Sequence, residues 1–149
     1  MKLAKRSREI YLEYWKRLKA FVDEQGLDWK FSSLEGESEI VVKIGPVHEK
    51  RKITLSLISG SASQRPQISA GFWIPDSRED FELLKSNRAR IEAEMGKPLV
   101  WDSKPGRKSS WVRVTTFLDL SKKENWSASF AWFAENAGKI RDACGGYLG

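Results

Sequence analysis

Residues 72–101 read FWIPDSREDFELLKSNRARIEAEMGKPLVW, and each boundary in this stretch is signalled locally. A hydrophobic strand runs into Pro75. Asp76 then stands where a helix cap is needed, with Glu79 three residues on in the reciprocal capping position. Phe81, Leu84, Ile91 and Met95 share one helical stripe, in which Arg88 is the polar member. Gly96 followed by Pro98 stops the helix, and Leu99–Trp101 resumes a strand at once. Strand, helix and strand in direct succession point to an α+β domain.

Working outward, residues 4–24 form an amphipathic helix. Ile10, Tyr11, Tyr14, Trp15, Leu18, Phe21 and Val22 make a wide apolar face, opposite Arg6, Glu9, Glu13, Lys16, Arg17 and Lys19, and Gly26 is its stop. Residues 27–38 read as irregular, with Trp29, Phe31 and Leu34 available to tuck under a neighbour. Three alternating segments follow at 39–44, 52–58 and 68–74. Their inward sets are Ile40, Val42 and Ile44; Ile53, Leu55 and Leu57; Ile68, Ala70, Phe72 and Ile74. Period-two alternation with a polar second face predicts an antiparallel sheet that is wet on one side. Beyond the central helix, the turn DSKPGRKSS (102–110) leads to a fifth strand over 111–118, and Ser121 with Glu124 spells a capping box. The last helix carries Trp126, Phe130, Phe133, Ala137, Ile140 and Cys144 at alternating steps of four and three before Gly145–Gly146. The expected fold is a single two-layer α+β domain over 1–149. It has a five-stranded, mostly antiparallel sheet and three amphipathic helices in the order α-βββ-α-ββ-α.

The 149 residues are enough to bury a core without staples. A net charge of +6 is compatible with polyanion binding, but 20 acidic residues offset 26 basic ones, so clustering of charge decides the matter rather than its total. One cysteine, Cys144, excludes an intrachain disulfide and a cysteine-based zinc site, and its place on an apolar stripe marks a buried thiol. The basic start MKLAKRSREI lacks the apolar run of a signal peptide, and no stretch approaches the ~18 apolar residues of a membrane helix. A cytoplasmic protein without membrane partners is expected.

The Tyr14–Trp15 pair, the tract from Phe81 through Ile91–Glu92 and Gly96 to Leu99 and Trp101, Ser110 after a basic turn, and Trp126 with Trp132 resemble an uncharacterised prokaryotic family of domains of unknown function, number 4268. The resemblance covers residues 8–143. Members often lie C-terminal to a nuclease-like domain of the PD-(D/E)XK type, so it implies the company of nucleic-acid enzymes or defence systems. It implies no activity of its own. Here the shared domain starts where the chain starts, so this reads as a standalone copy with the nuclease-like partner encoded separately.

No P-loop, dinucleotide fingerprint, HExxH pair, nucleophile elbow or Cys–His cluster is present, and no cofactor is implied. His48, the single histidine, lies in the charged turn GPVHEKRK and reads as an exposed turn residue. One enzymatic pattern remains. Pro75–Asp76 and Asp102–Ser103–Lys104 spell PD…DxK, the two carboxylates and lysine of a metal-dependent nuclease. Local structure explains each member otherwise: Asp76 as a cap, Asp102 and Lys104 as turn residues. The balance is against an enzyme, with no metal site.

A binding role rests instead on the uncovered face of the sheet. There alternation places Val41, Lys43, Ser69, Trp73, Trp111, Arg113 and Thr115. Two tryptophans beside Lys43 and Arg113 would make a stacking platform for unpaired bases. Lys104, Arg107 and Lys108 in the nearby turn, and Lys50, Arg51 and Lys52 in the first hairpin, would supply phosphate contacts. Alternatively Trp29, Phe31 and Leu34, or a second copy of the chain, cover the same tryptophans. Three functions follow in order. The first is a non-catalytic accessory module of nucleic-acid enzymes that itself touches nucleic acid. The second is a homodimeric protein-interaction domain. The third is a nuclease using Asp76, Asp102 and Lys104.

Overall fold

Four strands of alternating sequence pair edge to edge, and two short strands extend them into one six-stranded antiparallel sheet. The computed structural model describes residues 2–32, 34, 36–45 and 51–148, with side chains from residue 8 onward. Element order is α1 (Lys2–Glu24), β1 (Trp29–Phe31), β2 (Glu39–Ile44), β3 (Lys52–Ile58), β4 (Gln67–Ile74), α2 (Arg78–Ser86), α3 (Arg88–Met95), β5 (Val100–Asp102), β6 (Ser110–Phe117), a 3₁₀ turn (Lys123–Asn125) and α4 (Trp126–Gly145). The sheet order is β1-β2-β3-β4-β6-β5. The α+β class holds, with six strands and four helices where five and three were expected. Among the described residues, no helix is long and apolar enough to cross a membrane.

The inward sets of β2, β3 and β4 are buried as alternation requires, joined by Val112 and Val114 of β6. Helix α4 lies against them through Trp126, Phe130, Phe133, Ala137, Ile140 and Cys144, all buried. Tyr14 of α1 joins the first helix to the last. Its ring centroid lies 5.1 Å from Trp15, 5.2 Å from Trp126 and 5.0 Å from Phe130. Its hydroxyl lies 2.6 Å from Ser129 Oγ. Because Ser129 donates its own proton to the Trp126 carbonyl at 2.6 Å, Tyr14 must be the donor in the pair. Burial pushes the Tyr14 phenol well above its ordinary pKa, although the Ser129 bond works the other way.

Four local readings change. Residues 29–31 are a strand: Trp29 pairs with Ile44 and Phe31 with Val42. Both aromatic rings therefore pack with the core on the helix side, Trp29 being 9 % exposed, and Leu34 joins them there. None of the three covers the opposite face. The central helix is two. At Asn87, Ser86 Oγ and Asn87 Nδ2 both bond the Leu83 carbonyl (2.7 and 2.9 Å), the side-chain competition that interrupts helical bonding. Arg88 accordingly leaves the seam and pairs with Glu92, while Phe81, Leu84, Ile91 and Met95 stay buried as the stripe predicts. The cap of α2 is Ser77, whose Oγ accepts from Asp80 N at 3.1 Å. Asp76 precedes it in a left-handed turn, φ 46°. Finally, Ser121 turns its N–H and hydroxyl back to Asp119 Oδ1 (3.0 and 2.6 Å) instead of forming a capping box, and α4 begins after a 3₁₀ turn.

Glu92 ties α3 to the second half of the sheet. Its Oε2 accepts from the Leu99 N–H at 2.7 Å and from Trp101 Nε1 at 3.2 Å, and its Oε1 accepts from Arg88. The Leu99 hydrogen bond above all, with those of Trp101 and Arg88, holds this carboxyl below the usual range despite some desolvation. Removing these charge-assisted bonds in Glu92→Ala should cost about 2 kcal/mol in urea unfolding at pH 7. Glu92→Gln imitates the protonated acid. Because the folded-state pKa is depressed, the carboxylate stabilises at neutral pH and that contribution is lost as pH falls through the folded value. The gap between wild type and Glu92→Gln should therefore close in acid; a constant gap would show that charge is not involved. Cys144 makes a second check. Burial first, and the Glu94 carboxylate second, push its thiol up to about 12. A thiol reagent at pH 8 should label one equivalent only after denaturation.

Candidate nucleic-acid interface

With every helix on one side, antiparallel register sets the other face row by row. Lys30 opposes Lys43, Lys43 opposes Lys52, and Trp73, the β4 neighbour of Lys52, opposes Trp111. Asp102 opposes Trp111 at the far edge. Lys30–Lys43–Lys52–Trp73–Trp111 thus forms one cross-strand line of roughly 19 Å at the usual strand spacing. The adjacent row is Val41–Thr54–Gly71–Arg113, and the one beyond it Glu39–Ser56–Ser69–Thr115. Lys30 and Lys43 are exposed, and neither they nor Lys52 pair with a carboxylate among the described residues.

Trp111 does not stand upright. It leans across β4, so that its Nε1 donates to Thr54 Oγ1 on β3 at 3.2 Å. Gly71 lies beneath it; a Cβ there would stand 3.2 Å from Trp111 Cδ1 and 3.2 Å from Arg113 Cγ. A side chain at this crossing would press on the indole and on Arg113, which would have to give by a few tenths of an ångström. Two guanidiniums lie over the ring, Arg107 at 5.0 Å and Arg113 at 4.8 Å from its centroid. Lys52 Nζ lies 5.2 Å from the Trp73 ring centroid. These are cation–π distances, and each layer is positively charged on a flat aromatic base.

Asp102 holds the two arginines in place. Its Oδ1 meets Arg107 Nη2 at 2.7 Å and its Oδ2 meets Arg113 Nε at 3.2 Å. Partial burial pushes the Asp102 carboxyl up, but the hydrogen bonds and charges of Arg107 and Arg113 together outweigh it and keep it below the usual range. Both oxygens are thus committed to arginine. Asp76 sits exposed in the turn after β4, Lys104 is exposed in the β5–β6 turn, and no group of three or more His, Cys, Asp or Glu among the described residues could hold a metal ion.

The other expected contacts divide. Lys108 is exposed in the same turn as Lys104 and Arg107. Arg51 falls on the opposite parity of the hairpin from Lys52. It bonds the Leu148 carbonyl (3.2 Å) and approaches Asp80 (3.9 Å), which takes it off this face. Lys50 and His48 lie outside the described residues. Lys30 was missed because β1 was read as irregular, although Trp29-Lys30-Phe31 already alternates apolar, basic, apolar.

Two polar atoms on this face are shielded from solvent without a partner among the described residues, Trp73 Nε1 and Ser69 Oγ.

No curated protein and no solved structure matches the chain. The family model described as Domain of unknown function (DUF4268) matches residues 10–148, a span that takes in every strand of this face. The chain belongs to that family.

Proposed function

We propose that this chain is a non-catalytic binding module that takes single-stranded nucleic acid on the uncovered face of its sheet and serves an enzyme acting on the same strand. The observation that carries the reading is the single row Lys30–Lys43–Lys52–Trp73–Trp111, with Arg107 and Arg113 stacked at its end. Phosphates engage the lysines, while bases stack on the tryptophan and guanidinium planes, as on other sheet-based platforms. Base stacking needs no particular sequence, because every base has a π face. An enzymatic role through Asp76, Asp102 and Lys104 has less support, since both oxygens of Asp102 are held by arginine.

Labelled oligothymidylate should bind at low salt, and log Kd should change linearly with log salt concentration. Charge reversal in Lys30→Glu with Lys43→Glu should weaken binding by at least ten-fold and flatten the salt slope by about 1.4, at ~0.7 per phosphate contact on a single strand. Lys139→Glu, on α4 and paired with Glu135, should change neither. Absence of binding at low salt would sink the reading. Asp102→Asn removes the counter-charge of both arginines. It should cost about 1 kcal/mol of stability while steepening the salt slope, and an unchanged slope would take Arg107 and Arg113 out of the interface.

A further inference from the structure

At one end of the two layers, away from the lysine row, a cavity of about 490 Å³ opens between the first helix and the rim of the sheet. This volume is in the usual range for small-molecule sites. The β3–β4 turn and the segment after β6 frame it, and the Leu118 N–H donates to the Pro66 carbonyl at 3.1 Å to hold those two rims together. Ile10, 43 % exposed, lies at its mouth, an apolar side chain without full cover.

The walls define the chemistry of what would fit. Ile10 and Tyr11 of α1 line it on the open side, while Tyr14 (1 % exposed) and Trp126 (3 % exposed), their rings meeting at 80° with centroids 5.2 Å apart, form its buried floor. In a chain with 26 Lys and Arg, no basic side chain lines the cavity among the described residues. Asp119 is its one carboxylate. Asp119 Oδ1 accepts both the N–H and the hydroxyl of Ser121, and Oδ2 has no hydrogen-bond partner among the described residues. The Ser121 bonds first, and the charge of nearby Lys122 after them, hold the Asp119 carboxyl below its ordinary range. Arg17 and Lys123 do lie over Trp126, at 5.4 and 5.3 Å, but outside the lining, and Glu13 pairs with both (3.6 and 3.1 Å). Asp119 and Trp126 thus line the same cavity.

From the apolar walls, the half-buried Tyr11 and the single carboxylate among the lining residues, we infer that this cavity binds a small amine with an apolar body, its ammonium group on Asp119 and its body against Ile10, Tyr11 and Leu57. A carboxylate makes charge-assisted hydrogen bonds to an ammonium group and the apolar walls take the body, whereas a second anion is repelled by Asp119. This site is independent of the nucleic-acid reading.

The test uses three probes of one shape: phenethylammonium, phenethyl alcohol and 3-phenylpropanoate, titrated into the ¹⁵N-labelled full chain at pH 7. The Trp126 indole N–H, assigned through Trp126→Phe, should shift with the amine, more weakly with the alcohol and not with the carboxylate. In Asp119→Asn, which keeps the acceptor for Ser121, amine affinity should fall about ten-fold while alcohol affinity stays. Ser59→Phe, a change at the exposed rim, should block amine and alcohol together. Equal binding of the carboxylate and the amine, no amine binding at millimolar concentration, or unchanged amine affinity in Asp119→Asn would each overturn the inference. The ranking of the three probes on the wild-type protein decides it even where a variant fails to fold.

Discussion

The hydroxyl pair of Tyr14 and Ser129 closes this fold. One proton runs from Tyr14 to Ser129 and a second from Ser129 to the Trp126 carbonyl, so two buried hydroxyls leave no unmet donor between the first and last helices. Around them, Trp15 and Trp126 pack edge-on and Phe130 at a tilt against Tyr14, and these contacts orient α1 relative to α4. Helix α4 in turn lies on the central strands of the sheet through Phe133, Ala137 and Ile140. Elements more than a hundred residues apart in sequence are thereby held together. Since α1, α2, α3 and α4 all pack on the same side, the other face must find its own cover.

That face does so without a second layer. A tryptophan lying flat over a glycine shields the backbone around Gly71, and two arginines lie over the tryptophan. Thr54, Ser56 and Ser69 are buried there although no helix covers them. The lysine side of the same row stays open, with Lys30 and Lys43 in solvent. The row therefore changes from mobile point charges at one edge to stacked, pre-organised planar cations at the other. Lysine suits phosphate as a point charge, whereas arginine with tryptophan suits a planar base.

Most of the architecture is legible from alternation alone, because one buried face fixes strand register and a one-residue slip would turn every apolar side chain to water. The 39–44 and 52–58 strands fall at their expected bounds, as does the seam of α4. What failed to show was decided by side-chain competition for backbone groups. Asn87 and Ser86 share the Leu83 carbonyl and split a helix whose apolar stripe runs on unbroken. Ser77 rather than Asp76 caps α2, because the turn after Pro75 puts Asp76 at positive φ. β1 is only three residues long, below the length at which periodicity separates from chance, and with it went Lys30. The tryptophans and Arg113 could be placed on the open face from the sequence. Their lying flat could not, since that depends on Gly71 of another strand. The paired commitment of Asp102 likewise needs Arg107 and Arg113 brought together by the hairpin.

The Asp102 cluster also bears on why this face is built as it is. Its side chains are 18–32 % exposed, so the ions are partly desolvated. For ion pairs in that setting the desolvation penalty offsets much of the attraction, and apolar replacements of similar size are commonly neutral or stabilising. A sheet that needed only a cap over Gly71 would be served as well by leucine at 113 and 107. Trp73 adds an indole N–H that is covered and has no partner among the described residues. Retained charges of this kind, at the end of a lysine row, are the feature on which the proposed binding role rests.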